Sequence, residues 1–158
     1  MSRLPMLALI LAVAAVSACK KDEEGIAGTF NLVITETEDT CDGDENSFST
    51  SISIEAAGED DVTVTFGDQA VLTGFVDDQG IIQAQGPAMV PVPVEGDTLL
   101  VQSSMRIQLA VRRSRVDGNG DLAYDGTHPG APGEQCEQDF NVAGQRANLA
   151  PILPTESR

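Results

Sequence analysis

Among the side chains of this 158-residue sequence that could do chemistry, paired carboxylates are available everywhere, which makes none of them informative. Its single histidine, His128, lies in THPGAPG. A nucleophile needs a base held beside it, and a Pro- and Gly-rich loop is poorly suited to that unless anchored. Ser47, Ser49, Ser51, Ser53, Ser103 and Ser104 stand in alternating stretches without a nucleophile elbow or oxyanion signature. No glycine-rich phosphate loop precedes a helical stretch. The expectation is a protein that is not an enzyme and needs no cofactor. Two acidic stretches place oxygen ligands at alternate positions, as calcium loops do: DGNGD with Asp117, Asn119 and Asp121, and CDGDEN with Asp42, Asp44 and Asn46. A complete loop needs Gly at position six and Glu at position twelve. The first offers Leu122 and His128 there, the second Ser47 and Ser53. Asp-Gly and Asn-Gly are also the residues of tight hairpin turns. The expectation is therefore turns and no metal, with Asp117, Asn119 and Asp121 kept as weak calcium candidates.

The third kind of reactive side chain is cysteine, at 19, 41 and 136. Arg3 precedes an apolar run from Leu4 to Val16. A membrane-spanning helix needs about twenty apolar residues, so this run is too short. A positive start, a short apolar stretch and small residues at its end mark an export signal. Val16, Ser17 and Ala18 lead directly into Cys19, a pattern that resembles the lipobox of bacterial lipoproteins. The resemblance implies removal of residues 1–18, a diacylglyceryl group on Cys19, and a further palmitate-type acyl chain on its amino group. Two or more chains anchor a protein stably. Lys20 rather than Asp follows Cys19, which points to the outer membrane. Residues 19–27 then form a charged, lipidated tether. An exported chain folds where disulfides persist, so Cys41 and Cys136 are expected to bridge, 95 residues apart. A metal site or reactive thiol is disfavoured there, because no CxxC spacing or nearby histidine is evident.

Between those cysteines the chain reads as strands. SFSTSISIEAA carries Phe48, Ile52, Ile54 and Ala56 on one parity, DVTVTF carries Val62, Val64 and Phe66, and MRIQLAV sets Met105, Ile107, Leu109 and Val111 against Arg106, Gln108 and Arg112. A period of two predicts strands with one face to a core. Turn residues separate them, at 57–61, 77–80, 95–97 and 117–121. Regular short strands between turn signals predict an all-β sandwich or barrel. AMVPVPV, residues 88–94, holds two prolines that cannot donate to a ladder, so it is expected at an edge, a crossing segment or an extended polyproline stretch. It would plug a barrel end or form a hydrophobic mouth.

The two ends of the domain favour a barrel. Phe30, Leu32 and Ile34 share a parity in the first strand, and Phe140 and Val142 in the last. Antiparallel partners have residue numbers of constant sum. Gly28 opposite Arg146 sets that sum at 174, whereas Cys41 and Cys136 give 177, a mismatch that a bulge would absorb. Pairing first strand to last closes an up-and-down barrel. Gly28-Thr29-Phe30 resembles the G-x-W start of calycins, the lipocalin-type barrels, with Phe for Trp, and Arg146 resembles the calycin arginine that packs over that aromatic. Small bacterial lipoproteins with lipocalin-like barrels are similar in layout. The resemblance implies an antiparallel barrel of about eight strands over 28–146, closed by Gly28, Phe30 and Arg146, with 147–158 as a tail in which Arg146 to Ser157 would form at most a turn of helix. A β-sandwich is the alternative.

Charge narrows the partners. Beyond Ala18 there are eight basic and twenty-five acidic residues, a formal net charge of −17, and from Asp22 to Met105 eighteen acidic residues stand with no basic one. Such a surface repels phosphate backbones and disfavours nucleic acid. Arg106, Arg112, Arg113 and Arg115 arrive together and are expected beside acidic strands of their own sheet. The functional expectation is a lipid-anchored cell-envelope protein of structural or protein-interaction role. The alternative is a lipocalin-like carrier of a small apolar ligand.

Overall fold

The computed structural model describes residues 25–41 and 46–147. Cys19, most of the tether, Asp42, Asp44 and the tail beyond Ala147 lie outside the described residues. Eight antiparallel strands follow in chain order: β1 Gly28–Asp39, β2 Ser47–Ala56, β3 Asp61–Phe66, β4 Ala70–Val76, β5 Ile81–Val94, β6 Asp97–Arg112, β7 Arg115–Asp125 and β8 Gln135–Arg146. Each pairs with its neighbours in sequence, and β1 pairs with β8, so the sheet closes as an up-and-down barrel. Closure is what removes sheet edges. Among the described residues no helix is long and apolar enough to cross a membrane.

The period-two pattern becomes the inside and outside of the barrel. Phe30, Leu32, Ile52, Ile54, Val64, Leu72, Ile82, Leu109, Val116 and Phe140 point inward and are buried. Each such aliphatic or aromatic side chain contributes about 1.5–3 kcal/mol through its burial. Two members of the expected inward set depart from it: Phe48 is 43% exposed and Ala56 is exposed, because both stand at strand ends where the barrel no longer covers them.

The closing seam has a register of its own. Phe30, not Gly28, faces Arg146, so partners sum to 176 through Glu36. A bulge between Glu36 and Glu38 then raises the sum to 177, the sum of Cys41 and Cys136. One extra residue, Thr37, thus brings the cysteines opposite each other. The expected register was two residues out, since parity fixes the buried face and not the slide; Ala147 N–H bonding Thr29 C=O continues the observed register beyond the last strand pair.

DGNGD is not a turn. It runs through the middle of β7, and the chain reverses instead at Arg113–Ser114, between Arg112 and Arg115. The glycines serve close packing: a Cβ on Gly118 would strike Gln108 O and the Leu109 side chain, and one on Gly120 would strike Arg106 O and the Phe140 ring. Tight curvature of the sheet brings neighbouring backbone over these inward positions, where only Gly fits.

AMVPVPV lies inside β5, paired with β6 from Met89↔Gln102 to Val94↔Asp97. Met89 N–H bonds Gln69 O on the other flank, and no strand continues beyond it. Pro91 and Pro93 share the parity of Met89, so the N–H they lack would point to that open flank. This is the edge position that tolerates proline.

Candidate functional site

Three places in the fold gather side chains with something to offer: the disulfide end, the closing end, and the outer face with its projecting hairpin.

Cys41 and Cys136 form a disulfide with Cα atoms 5.1 Å apart. The bond lies against a buried polar group. Cys41 N–H donates to Asp39 Oδ1 at 2.6 Å, Gln138 Nε2 to Asp39 Oδ2 at 2.7 Å, and Tyr124 Oη to Gln138 Oε1 at 2.8 Å. His128 completes it, contrary to the expectation that no histidine comes near these cysteines. The β7–β8 loop folds back over the barrel end, held by Gly126 N–H to Glu134 O and by Thr127 Oγ1–H to Gln102 O. His128 is thereby 1% exposed and stacks edge-on against Tyr124, ring centroids 4.8 Å apart. Its Nδ1 accepts from Gly130 N–H at 3.1 Å, which places the proton of a neutral ring on Nε2. Nε2 has no hydrogen-bond partner. One ring nitrogen and both sulfurs lie within 4.8 Å of one another, but the sulfurs are spent on each other and offer no thiolate.

At the closing end, Arg146 covers Phe30, its guanidinium carbon 4.6 Å from the ring centroid. The guanidinium donates three hydrogen bonds, from Nε to Arg113 O at 2.8 Å, Nη1 to Ala27 O at 2.7 Å and Nη2 to Gly25 O at 2.8 Å. Gly28 stands beneath it at φ 145°, where a Cβ would meet the guanidinium. Gly28, Phe30 and Arg146 therefore act as one unit, tying the start of β1 to the end of β8.

The calcium candidates are not brought together as ligands. Asp117, Asn119 and Asp121 lie along one strand, each paired across to β6. Asp121 is engaged by Arg106, whose Nη2 lies 3.0 Å from Oδ2. Asp121's hydrogen bond and charge hold the Arg106 guanidinium above its ordinary pKa. Arg106 is thus the one arginine of its cluster with an ion pair among the described residues, and Arg112, Arg113 and Arg115 gather at the β6–β7 turn.

Two surface features stand out on the outside of the barrel. The tip of the β5–β6 hairpin projects past its flanking strands. Val92 and Val101 lie on the core, while Met89, Leu99 and Leu100 are 40%, 51% and 61% exposed. On the outer wall a cleft of about 710 Å³ crosses six strands, between a row that includes Phe75, Gln83, Gln108, Asn119 and Asn141 and a second that includes Gln85, Arg106, Asp121 and Asp139. The cleft could not be found by local pattern, since it joins residues far apart in the chain, whereas the hairpin includes the AMVPVPV segment for which a hydrophobic mouth is expected. Comparison with known protein families and with curated proteins finds no match to this chain, which stands as an all-β, eight-stranded antiparallel barrel compatible with a calycin-like domain.

Proposed function

We propose that this chain is a lipid-anchored protein of the bacterial cell envelope, held by acyl chains on Cys19, that has no catalytic role and engages a protein partner through its β5–β6 hairpin. The observation that carries the reading is the gathering of Met89, Leu99 and Leu100 on one hairpin, whereas the other exposed large apolar groups, Val33, Phe48, Val71 and Phe75, stand at four other positions on β1, β2 and β4. The protein has a strongly acidic balance, yet at this projection three large apolar side chains stand largely in water. Exposed apolar groups that cluster on a polar protein mark interaction sites. The turn at its tip, Glu95–Gly96, is polar and adopts positive φ at both positions, 47° and 97°, so the apolar residues sit on the flanks of the hairpin and not at its tip.

The calycin resemblance is supported by the unit of Gly28, Phe30 and Arg146. A carrier role is less favoured because the barrel's own side chains fill it: Phe30, Leu32, Ile52, Ile54, Leu72, Ile82 and Leu109 are all fully buried. Small eight-stranded barrels with such interiors are packed cores.

The reading is tested by placing a photo-crosslinking residue at Leu100 in cells and repeating the experiment with Leu99→Ser and Met89→Ser added. A discrete envelope-protein adduct that disappears in the altered hairpin, at unchanged melting temperature, is expected. A chain that forms no adduct at Leu100, or the same adducts with the apolar groups removed, would contradict it. Mass spectrometry of the N-terminal peptide tests the anchor, which requires acylated Cys19 as the first residue.

A further inference from the structure

We propose that the cleft on the outer wall binds an uncharged glycan strand. This inference is separate from the hairpin reading and uses different residues.

Cross-strand register builds the site. Phe75 pairs with Gln83, Gln83 with Gln108, Gln108 with Asn119, and Asn119 with Asn141. All five lie on the outward parity, so their side chains form one row across β4 to β8. Neighbouring strands lie about 4.8 Å apart, which makes the row roughly 19 Å long. The row lines one wall of the 710 Å³ cleft.

The chemistry of that row is uniform and unusual for this protein. Four successive positions are carboxamides, and none carries a charge, although acidic residues outnumber basic ones twenty-five to nine in the chain. Each carboxamide presents two donors and one acceptor oxygen in a plane, which matches adjacent hydroxyl or acetamido groups of a sugar. Among the described residues, the side chains of Gln108, Asn119 and Asn141 have no hydrogen-bond partner, and Gln83 makes one long contact to Asp77 at 3.3 Å. Their polar groups are therefore available to a ligand. On the facing wall the charge of Arg106 is matched by Asp121 at 3.0 Å, and Asp139 adds one carboxylate that repels anions and can accept from a sugar hydroxyl. Phe75 closes the row and is 48% exposed, giving the cleft an aromatic group for the C–H face of a pyranose ring. Aromatic rings contribute large contact area at little entropic cost.

The same features disfavour other occupants. An anionic polymer meets an acidic shell. An extended peptide gains its affinity by adding to an open sheet edge, and this cleft crosses the face of a sheet whose strands are all paired at that level. A repeating, neutral ligand with hydroxyls on its edges and apolar faces fits both walls.

The test is calorimetric titration of the full chain with chitohexaose, cellohexaose and maltohexaose, alongside a neutral extended peptide of similar length. Saturable binding of at least one hexasaccharide is expected, weakened tenfold or more by Gln108→Ala with Asn119→Ala and again by Phe75→Ala. Asn141→Asp, which keeps size and adds charge, should weaken it in a background where melting temperature is unchanged. The proposal is overturned if no hexasaccharide binds, if these variants bind as the parent does, or if the peptide binds in preference. Neither result bears on crosslinking at Leu100.

Discussion

Phe30 and Arg146 are register partners across the seam that closes the barrel, and Arg146 also lies over the Phe30 ring at 4.6 Å. One side chain therefore caps the first inward residue of β1, ends β8, and ties down the backbone at Gly25, Ala27 and Arg113. Its three charged hydrogen bonds are partly exposed, so each contributes less than a buried one. Arg146→Ala should cost about 2–4 kcal/mol in urea denaturation. Arg146→Lys should recover less than half, because an ammonium lacks the fork that reaches three carbonyls at once. Equal stability of the Lys variant and the parent would contradict this account of the seam.

The disulfide should dominate the stability of the domain. It closes a loop 95 residues apart in sequence, for which the chain-entropy relation gives about 4–5 kcal/mol. Cys41→Ser with Cys136→Ser should lower the denaturation midpoint by a corresponding amount, and reduction of the parent should reproduce it. A loss below about 1 kcal/mol would mean that the Glu36–Glu38 bulge and its register hold without the bond.

The buried His128 carries one nitrogen that is satisfied and one that is not. Leaving a buried polar atom unpaired costs about 1–3 kcal/mol. His128→Phe keeps the edge contact with Tyr124 and removes the orphan but also takes the acceptor from Gly130 N–H, so the two effects offset and its melting temperature should stay close to that of the parent. Tyr124→Phe is the opposite case, since it strips Gln138 Oε1 of its donor. It should destabilise by about 1–3 kcal/mol. Thermal unfolding of both variants separates the two effects, and a strongly destabilised His128→Phe would show that Nε2 has a partner in solution.

Glu95 holds a left-handed backbone, φ 47°, in the two-residue turn between β5 and β6. That conformation costs an ordinary residue about 1–2 kcal/mol and suits Asn or Gly. Glu95→Asn should stabilise the protein by about 0.5–1 kcal/mol. A neutral or negative effect by denaturant titration would place the strain elsewhere.

Much of the architecture is legible from the residues alone. Alternation in ISI, VTV and RIQLAV predicts strands because a one-sided core demands period two, and matching parities at the two ends predict closure. The disulfide follows from an even pair of cysteines in a chain whose start has the pattern of an export signal. What escapes is tertiary. DGNGD has the composition of a turn, yet Gly118 and Gly120 are required by backbone pressed against them from β6 and by the Phe140 ring. His128 sits in a loop of flexible composition, and only the folding of that loop over the barrel end buries it beside the cysteines. The carboxamide row is assembled from positions 83, 108, 119 and 141, which no window of sequence contains. The seam register missed by two residues because parity fixes which face a strand buries, not how far it slides.

The central claim is that the barrel is closed, oxidised and filled by its own side chains, so that recognition takes place on its outside. Native mass spectrometry of the chain carrying Cys19→Ser, exported and purified without reductant, tests it most directly. The account predicts a single bare mass with Cys41 and Cys136 oxidised. A stoichiometric apolar adduct, released only when the barrel unfolds, would contradict it and make the protein a carrier.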